Sequence, residues 1–259
     1  TYLIIVTSRG ASADIVEGMN AGADDFISKP FVKEELAVRI RAGERILGFE
    51  SRELVIFSMA KLAESRDPDM GDHLERIRFY SKALAETIAR SNNPPQEMNR
   101  LFIDNIFLTS PLHDIGKIGI PDHVLLKQIR LSHDEFEVMK KHSNIGFEAL
   151  AQALEKYPEA EYLSMSAEIA LYHHEKFDGT GYPAGLSGTD IPLSARIVAL
   201  SDVYDALVSK RVYKEANTHK VAKAIITDGK GTHFDPMVVD AFLSCEEEFE
   251  EIGNSFSAY

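Results

Sequence analysis

Leu112-His113-Asp114-Ile115-Gly116-Lys117-Ile118-Gly119-Ile120-Pro121 sets an imidazole and a carboxylate side by side among apolar residues that would bury them. A buried ionisable pair has to be ion-paired or metal-bound, because an uncompensated buried charge is expensive. Alone, a His-Asp dipeptide is more often incidental than a site. Outward from it, however, further donors recur: His73 in Asp69-Met70-Gly71-Asp72-His73, His142 in Lys141-His142-Ser143, the pair His173-His174, and Asp202 in Leu200-Ser201-Asp202-Val203-Tyr204-Asp205. These are five of the nine histidines plus two aspartates, in separate segments and without cysteine. Each singly reads as a structural residue. Together they make an N/O donor set suited to Fe, Mn or Zn rather than a thiolate site. One tetrahedral zinc uses about four ligands, so seven donors suit two octahedral ions. Two ions ~3.5–4 Å apart can activate water and stabilise both the attacking and the leaving oxygen of a phosphoester. Asp114 is the natural bridge, with one oxygen for each ion.

The segments carrying these donors read as helices. Apolar periodicity runs through 73–90, 98–119, 133–156, 163–176, 193–209 and 217–227, and strand alternation is missing, so the main domain is expected to be all-α. From Val32 to Glu64 there is no proline and there are two glycines, Gly43 and Gly48. That predicts a long connecting helix with Leu54, Ile56, Phe57 and Leu62 among its apolar positions. Such a helix either pairs with a second copy in a homodimer or packs on its own domain. The first residues have α/β character: Tyr2 to Val6 reads as a buried strand and Ser12 to Ala21 as a helix stopped at Gly22. Phe26-Ile27 is a second short apolar piece, and Val32 to Leu47 a further helix with Leu36, Ile40 and Leu47 on one face. The expected organisation is 1–47 as an α/β fragment, 48–66 as connecting helix and 67–250 as a helical metal-binding domain.

The chain of 259 residues is long enough for one large domain or two modest ones. It is 44% hydrophobic and 27% charged, ordinary for a globular protein. No apolar run approaches the ~18–20 residues that cross a bilayer, and Thr1 begins in what reads as mid-domain without a basic leader, so neither membrane span nor signal peptide is expected. The single cysteine, Cys245, excludes an internal disulfide and fits a reducing, cytoplasmic compartment. A net charge of −13 argues against a nucleic-acid polymer as partner. It leaves a small anionic substrate open, because metal ions and a few placed cations can reverse the sign locally. The acidic run Glu246 to Glu251 reads as a solvated helix end.

His113-Asp114-Ile115-Gly116-Lys117, joined with His173-His174-Glu175-Lys176-Phe177-Asp178-Gly179-Thr180-Gly181-Tyr182-Pro183, resembles the HD-GYP family. The resemblance runs over about residues 52 to 245, including Ile191-Pro192-Leu193, Arg196-Ile197-Val198 and Gly231-Thr232-His233-Phe234-Asp235-Pro236. It implies an HD-type helical bundle that hydrolyses cyclic di-GMP to pGpG, often on to GMP, with related cyclic dinucleotides as substrates of a few members. It implies His73, His113, Asp114, His142, His173, His174 and Asp202 as ligands of two divalent ions, iron or manganese expected, with zinc or nickel as alternatives. In members with three metals a glutamate four residues before the first histidine holds the extra ion. Asp69 stands at that position here, one methylene shorter, so two ions are favoured over three.

The same resemblance casts Lys117 as proton donor to the leaving 3′-oxygen or as a phosphate clamp, three residues from Asp114 and within reach of the cluster. In the glycine-rich loop from Phe177 to Gly188, Gly181 permits close backbone approach, and Tyr182 would stack on a guanine or hydrogen-bond a phosphate. Arg211 and Lys214 match the family's phosphate-binding pair, a bidentate and a point-charge contact. Asp205 orients a ligand, a water or the guanine. His233 reads as structural, and His123, His133 and His219 as exposed.

Ile4-Ile5-Val6-Thr7-Ser8, followed by Ala21-Gly22-Ala23-Asp24-Asp25-Phe26-Ile27-Ser28-Lys29-Pro30-Phe31, resembles the C-terminal portion of a response-regulator receiver. Thr7 is then the switch hydroxyl, Lys29 the phosphate-contacting lysine, and Lys29-Pro30 a cis bond. The acidic pocket and phospho-acceptor of a receiver lie on earlier strands, so this fragment is not expected to accept a phosphoryl group itself. A sensor histidine kinase is the partner implied for the complete receiver. Two competing functions share these residues: a cyclic di-GMP sensor that signals through protein partners, and an HD phosphohydrolase acting on another cyclic dinucleotide.

Overall fold

The structure is a computed structural model that describes residues 1–8, 12–65, 72–209 and 216–256. Two compact units divide it, Thr1–Val55 and Ile56–Tyr259. In the first, β1 (Ile4–Thr7) is followed by α1 (Ser12–Asn20) and β2 (Asp25–Ser28), and the strands pair in parallel from Ile4↔Asp25 to Thr7↔Ser28. Parallel neighbours require a crossover, and α1 supplies it. Gly22 ends the crossover at φ 101°, a conformation that favours glycine. The Lys29-Pro30 bond is cis. Ile27 is fully buried, but β1 is not the buried strand expected: Ile4 and Ile5 are half-buried and Val6 is 44% exposed. Among the described residues this sheet has two strands and α1 is its one crossover helix, which leaves β1 only partly covered.

Helix α2 (Lys33–Glu64) is one uninterrupted element of 32 residues, so the expected helix after Val32 and the connecting helix are continuous. Glu34 and Glu35 in its first turn suit the positive end of the helix dipole. Near its C-terminus Ile56 and Ala60 pack with Leu74, Leu108 and Leu112 in a small apolar cluster. Leu54 and Leu62 instead face outward, 70% and 69% exposed.

The second unit is helical: α3 (His73–Ala89), α4 (Arg100–Thr109), the short α5 (Asp122–Leu125) and α6 (His133–Met139), then α7 (Lys141–Lys156), α8 (Glu161–Tyr172), α9 (Leu193–Val208), α10 (His219–Asp228), α11 (Pro236–Ser244) and α12 (Glu246–Ser255). Its core joins Tyr80, Leu84, Ile106, Ile169, Ile197, Tyr204, Phe242 and Phe249. Each such buried side chain contributes about 1.5–3 kcal/mol by leaving water. Two predicted helices are broken. The 98–119 span ends as a helix at Thr109 and continues as two 3₁₀ turns, Ser110–Leu112 and Ile115–Gly119, since Pro111 lacks the N–H that would continue the ladder. The 133–156 span divides at Lys140, after a capping box in which Ser132 and Glu135 satisfy each other's backbone. The acidic run is the start of α12, where three glutamates suit the dipole, but it is not wholly solvated: Phe249 is fully buried within it, and Glu246 pairs with Lys223 at 2.6 Å.

Candidate metal centre

Most of the donors sit at helix ends and turns, while Asp202 lies within α9. His73 opens α3, His142 lies in the first turn of α7, and His173 caps the C-terminus of α8 with His174 next to it. His113-Asp114 lies between the two 3₁₀ turns. This places the pair against α7 at a backbone-to-backbone contact: a Cβ on Gly116 would fall 1.9 Å from the His142 carbonyl oxygen and 2.5 Å from the Gly146 nitrogen. Glycine at 116 is thus required for the HD turn to reach the His142 helix.

Asp114 is central. Its Oδ1 lies 3.3 Å from His142 Nε2 and 3.8 Å from His173 Nε2, and its Oδ2 lies 3.3 Å from His113 Nε2 and 2.6 Å from Lys117 Nζ. Asp202 Oδ1 lies 3.8 Å from His73 Nε2 and 4.0 Å from His113 Nε2. Among the described residues two donor groups emerge, each with its donor atoms within 4.8 Å of one another: Asp114, His142, His173 and His174 in one, Glu64, His73 and His113 in the other.

The tautomers point the same way. His113 Nδ1 meets the Ser110 carbonyl at 2.9 Å, His142 Nδ1 the Met139 carbonyl at 2.8 Å and His173 Nδ1 the Ile169 carbonyl at 2.9 Å. A carbonyl only accepts, so Nδ1 must carry the proton and a neutral ring keeps its Nε2 lone pair free. His73 Nδ1 does the equivalent with the Asp205 carboxylate at 2.7 Å. The Nε2 atoms of His73, His113 and His173 are buried without a hydrogen-bond partner. Buried polar atoms are nearly always satisfied, and metal-ligating histidines characteristically donate their other nitrogen to a carbonyl or carboxylate. The residues present therefore fit a divalent-cation site.

The family model "HD domain" matches residues 58–238. The chain belongs to the HD domain family. Two similar curated proteins are a cyclic di-GMP phosphodiesterase of Vibrio cholerae serotype O1 and the cyclic di-GMP phosphodiesterase response regulator RpfG of Xanthomonas campestris pv. campestris. The first is 52% identical over 206 residues, 80% of this chain and 42% of that protein. The second is 37% identical over 278 residues, 98% of this chain and 70% of that protein. This chain thus spans less than half the length of the Vibrio relative. A crystal structure of a cyclic GMP-AMP specific phosphodiesterase of V. cholerae shares the fold at TM-score 0.55 and 17% identity, over 80% of this chain and 53% of that one.

Electrostatics in this HD domain divide the donors. Burial alone would raise the Asp114 carboxyl, but Lys117, His113 and His142 outweigh it and hold it well below the usual range. Burial pushes His142 down, His173 to about 3 and His174 well below its ordinary value, so all three are neutral at pH 7. For His113 burial pulls down, but Asp114, Asp202 and Glu64 prevail and raise it. Protein groups alone therefore leave a proton on His113 that a cation would displace.

Of the other expected residues, Tyr182 stacks on the His174 ring at 4.7 Å between centroids, with Phe136 edge-on at 6.2 Å and Lys140 5.6 Å from its ring. A Cβ on Gly181 would lie 2.3 Å from the Lys176 nitrogen, and Glu175 holds the loop by accepting from the Ala184 and Gly185 nitrogens at 2.7 and 3.0 Å. Asp205, expected among the substrate contacts, is 1% exposed and engaged by His73 through Oδ2 and by Arg76 through both oxygens. Of the roles expected for it, orienting a ligand is the one these bonds fit. His219, expected on the surface, is half-buried and bonded to the Tyr204 hydroxyl at 2.8 Å, whereas His123 and His133 are exposed. His233 stacks on Phe234 at 4.2 Å. Asp69, Arg211 and Lys214 lie outside the described residues.

Sequence reasoning missed Glu64, Arg76 and the clamp made by Glu175. For Glu64 a signal was present. It continues the spacing Ile56, Ala60, Glu64 on the apolar stripe of α2, where a charged residue needs a reason.

Proposed function

We propose that this protein is a metal-dependent phosphodiesterase that hydrolyses cyclic di-GMP to pGpG, with GMP as the alternative end product, as the output domain of a response regulator. What carries the reading is the set of buried imidazole nitrogens without partners around Asp114, each ring oriented through its far nitrogen. A sensor has no need of a complete donor set, and the relatives named above are cyclic di-GMP phosphodiesterases.

His73, His113, Asp114, His142, His173, His174 and Asp202 would hold two divalent ions, iron or manganese. Bound there, the ions supply Lewis-acid stabilisation of phosphoryl oxygens and a water made nucleophilic at neutral pH. Asp114 spans both donor groups with separate oxygens. Lys117 keeps its ammonium 2.6 Å from Asp114 Oδ2, where it can protonate the leaving 3′-oxygen. Gly181 holds the loop against the Glu175-Lys176 backbone so that Tyr182 lies over His174 at the edge of the centre, a platform for a base. Arg211 and Lys214 would take the phosphates, and Asp205 keeps the His73 ring in register.

The parallel β1–β2 pair, with Thr7 ending β1 and Lys29 following β2, supports the receiver reading of the N-terminal unit. So does likeness over 98% of the chain to a protein named as a response regulator. A partner histidine kinase, pairing of two copies and a cytoplasmic location belong to this proposal. No described helix is long and apolar enough to cross a membrane.

The test is product analysis with metal-loaded protein offered cyclic di-GMP and 3′3′-cyclic GMP-AMP separately. Linear pGpG formed from the first at a higher kcat/KM than product from the second supports the reading. Preference for the mixed dinucleotide would move the assignment to another HD phosphodiesterase, and binding without cleavage would make the domain a sensor.

A further inference from the structure

We propose that Glu64, the last residue of α2, is a direct metal ligand that completes a separate cation position with His73 and His113. This rests on the metal-centre reading above and adds a donor to it.

The three side chains come from three segments: the end of α2, the first residue of α3 and the HD turn. Their donor atoms lie within 4.8 Å of one another. Glu64 is 7% exposed, and its Oε1 has no hydrogen-bond partner. The Nε2 atoms of His73 and His113 are likewise buried and unpartnered. Their Nδ1 atoms are taken by Asp205 and by the Ser110 carbonyl, so neither ring can turn its other nitrogen inward without breaking a bond. A carboxylate oxygen and two imidazole nitrogens that converge without partners in a dry place are costly, and one cation satisfies all three together. Asp202 Oδ1, near both histidines, adds a further oxygen. Two imidazoles with carboxylates suit Fe²⁺ or Mn²⁺ better than a soft ion. The second donor group, Asp114 with His142, His173 and His174, does not include Glu64, so this carboxylate belongs to the His73 side. Family resemblance had pointed to Asp69 for an additional carboxylate. Asp69 lies outside the described residues, and among these Glu64, five residues earlier, is the carboxylate that meets His73 and His113.

The experiment uses the whole chain as wild type, Glu64→Gln, Glu64→Asp and Asp69→Asn. Each is stripped with chelator, checked by thermal melting, and titrated with Mn²⁺ against a chromophoric chelator. We expect Glu64→Gln to bind fewer Mn²⁺ per chain than wild type, or to bind the weakest one more than about 100-fold less tightly, beyond the roughly 10–100-fold lost with an outer-sphere partner. Glu64→Asp, which keeps the charge but shortens the reach, should keep the count with weaker affinity, and Asp69→Asn should match wild type. A Glu64→Gln protein with wild-type count and affinity within about 100-fold overturns the assignment. So does loss of the ion in Asp69→Asn but not in Glu64→Gln. Failure of the wild type to bind Mn²⁺ would instead remove the metal centre itself.

Discussion

Replacing Asp205 by Asn should damage stability and metal affinity together, and the two losses should be separable. Asp205 is buried, with Oδ2 2.7 Å from His73 Nδ1 and both oxygens on the Arg76 guanidinium. Burial would raise its pKa, but the bonds to His73 and Arg76 hold it at about 2, below the ordinary 3.8. At about 1.4 kcal/mol per pH unit, that proton linkage is worth roughly 2 kcal/mol, present above pH ~4 and lost as pH falls towards 2. Asparagine removes the charge but leaves the Arg76 guanidinium half-buried and uncompensated, so the whole cost should approach the ~3–5 kcal/mol of a broken buried pair. Asparagine also offers an amide in place of a carboxylate to hold His73, and metal affinity should fall about 10–100-fold. Adding Arg76→Met removes the orphaned cation and should restore much of the stability without restoring metal affinity. Urea unfolding and chelator competition on the single and double variants measure the two effects. Metal affinity within threefold of wild type in Asp205→Asn, or its full recovery in the double variant, would refute a positioning role for Asp205.

Glu64 has the opposite electrostatic sign. Burial raises it from 4.5 to about 7, so in chelated protein it contributes stability below pH ~4.5 that is lost as pH rises through 7. At about 1.4 kcal/mol per pH unit this is on the order of 3 kcal/mol, and chelated Glu64→Gln should lack that decline in urea titrations at pH 5 and pH 8. Gly116→Ala forces a Cβ onto the His142 carbonyl at 1.9 Å; overpacking of this kind costs about 1–3 kcal/mol, and its separation of Asp114 from His142 should lower metal content measured by emission spectrometry, whereas Gly48→Ala, with only a side chain at 3.9 Å, should not. Lys117→Met should lower kcat by roughly 10²–10⁴ with metal content retained; a loss under tenfold would exclude it as the proton donor.

The cluster was legible because metal chemistry is strict: imidazoles and carboxylates recurring in separate apolar segments, with no cysteine among them, have few other uses. The helices that carry them were legible from periodicity. Their interruptions were not, since the apolar pattern runs straight through Pro111 and through Lys140 while the backbone breaks. Those breaks are what lets His113 and His142 face Asp114. Asp205 was seen with its role left open, because a carboxylate one turn from Asp202 looks the same in sequence whether it orients a ligand or faces the substrate, and its bonds to His73 and Arg76 are made only in space. Glu64 was passed over because no short spacing links it to His73, and the pairing is made in space by the end of one helix and the start of the next.

The proposed enzyme is a cation-dependent phosphodiesterase built around Asp114. It is tested most directly by following pGpG formation from cyclic di-GMP with chelated protein, with the same protein reloaded with Mn²⁺ or Fe²⁺ under anaerobic conditions, and with reloaded Asp114→Asn. The chelated protein should give no product, reloading should restore turnover, and the variant should show neither turnover nor a full metal complement. Hydrolysis that survives chelation, or a fully active Asp114→Asn, would contradict it.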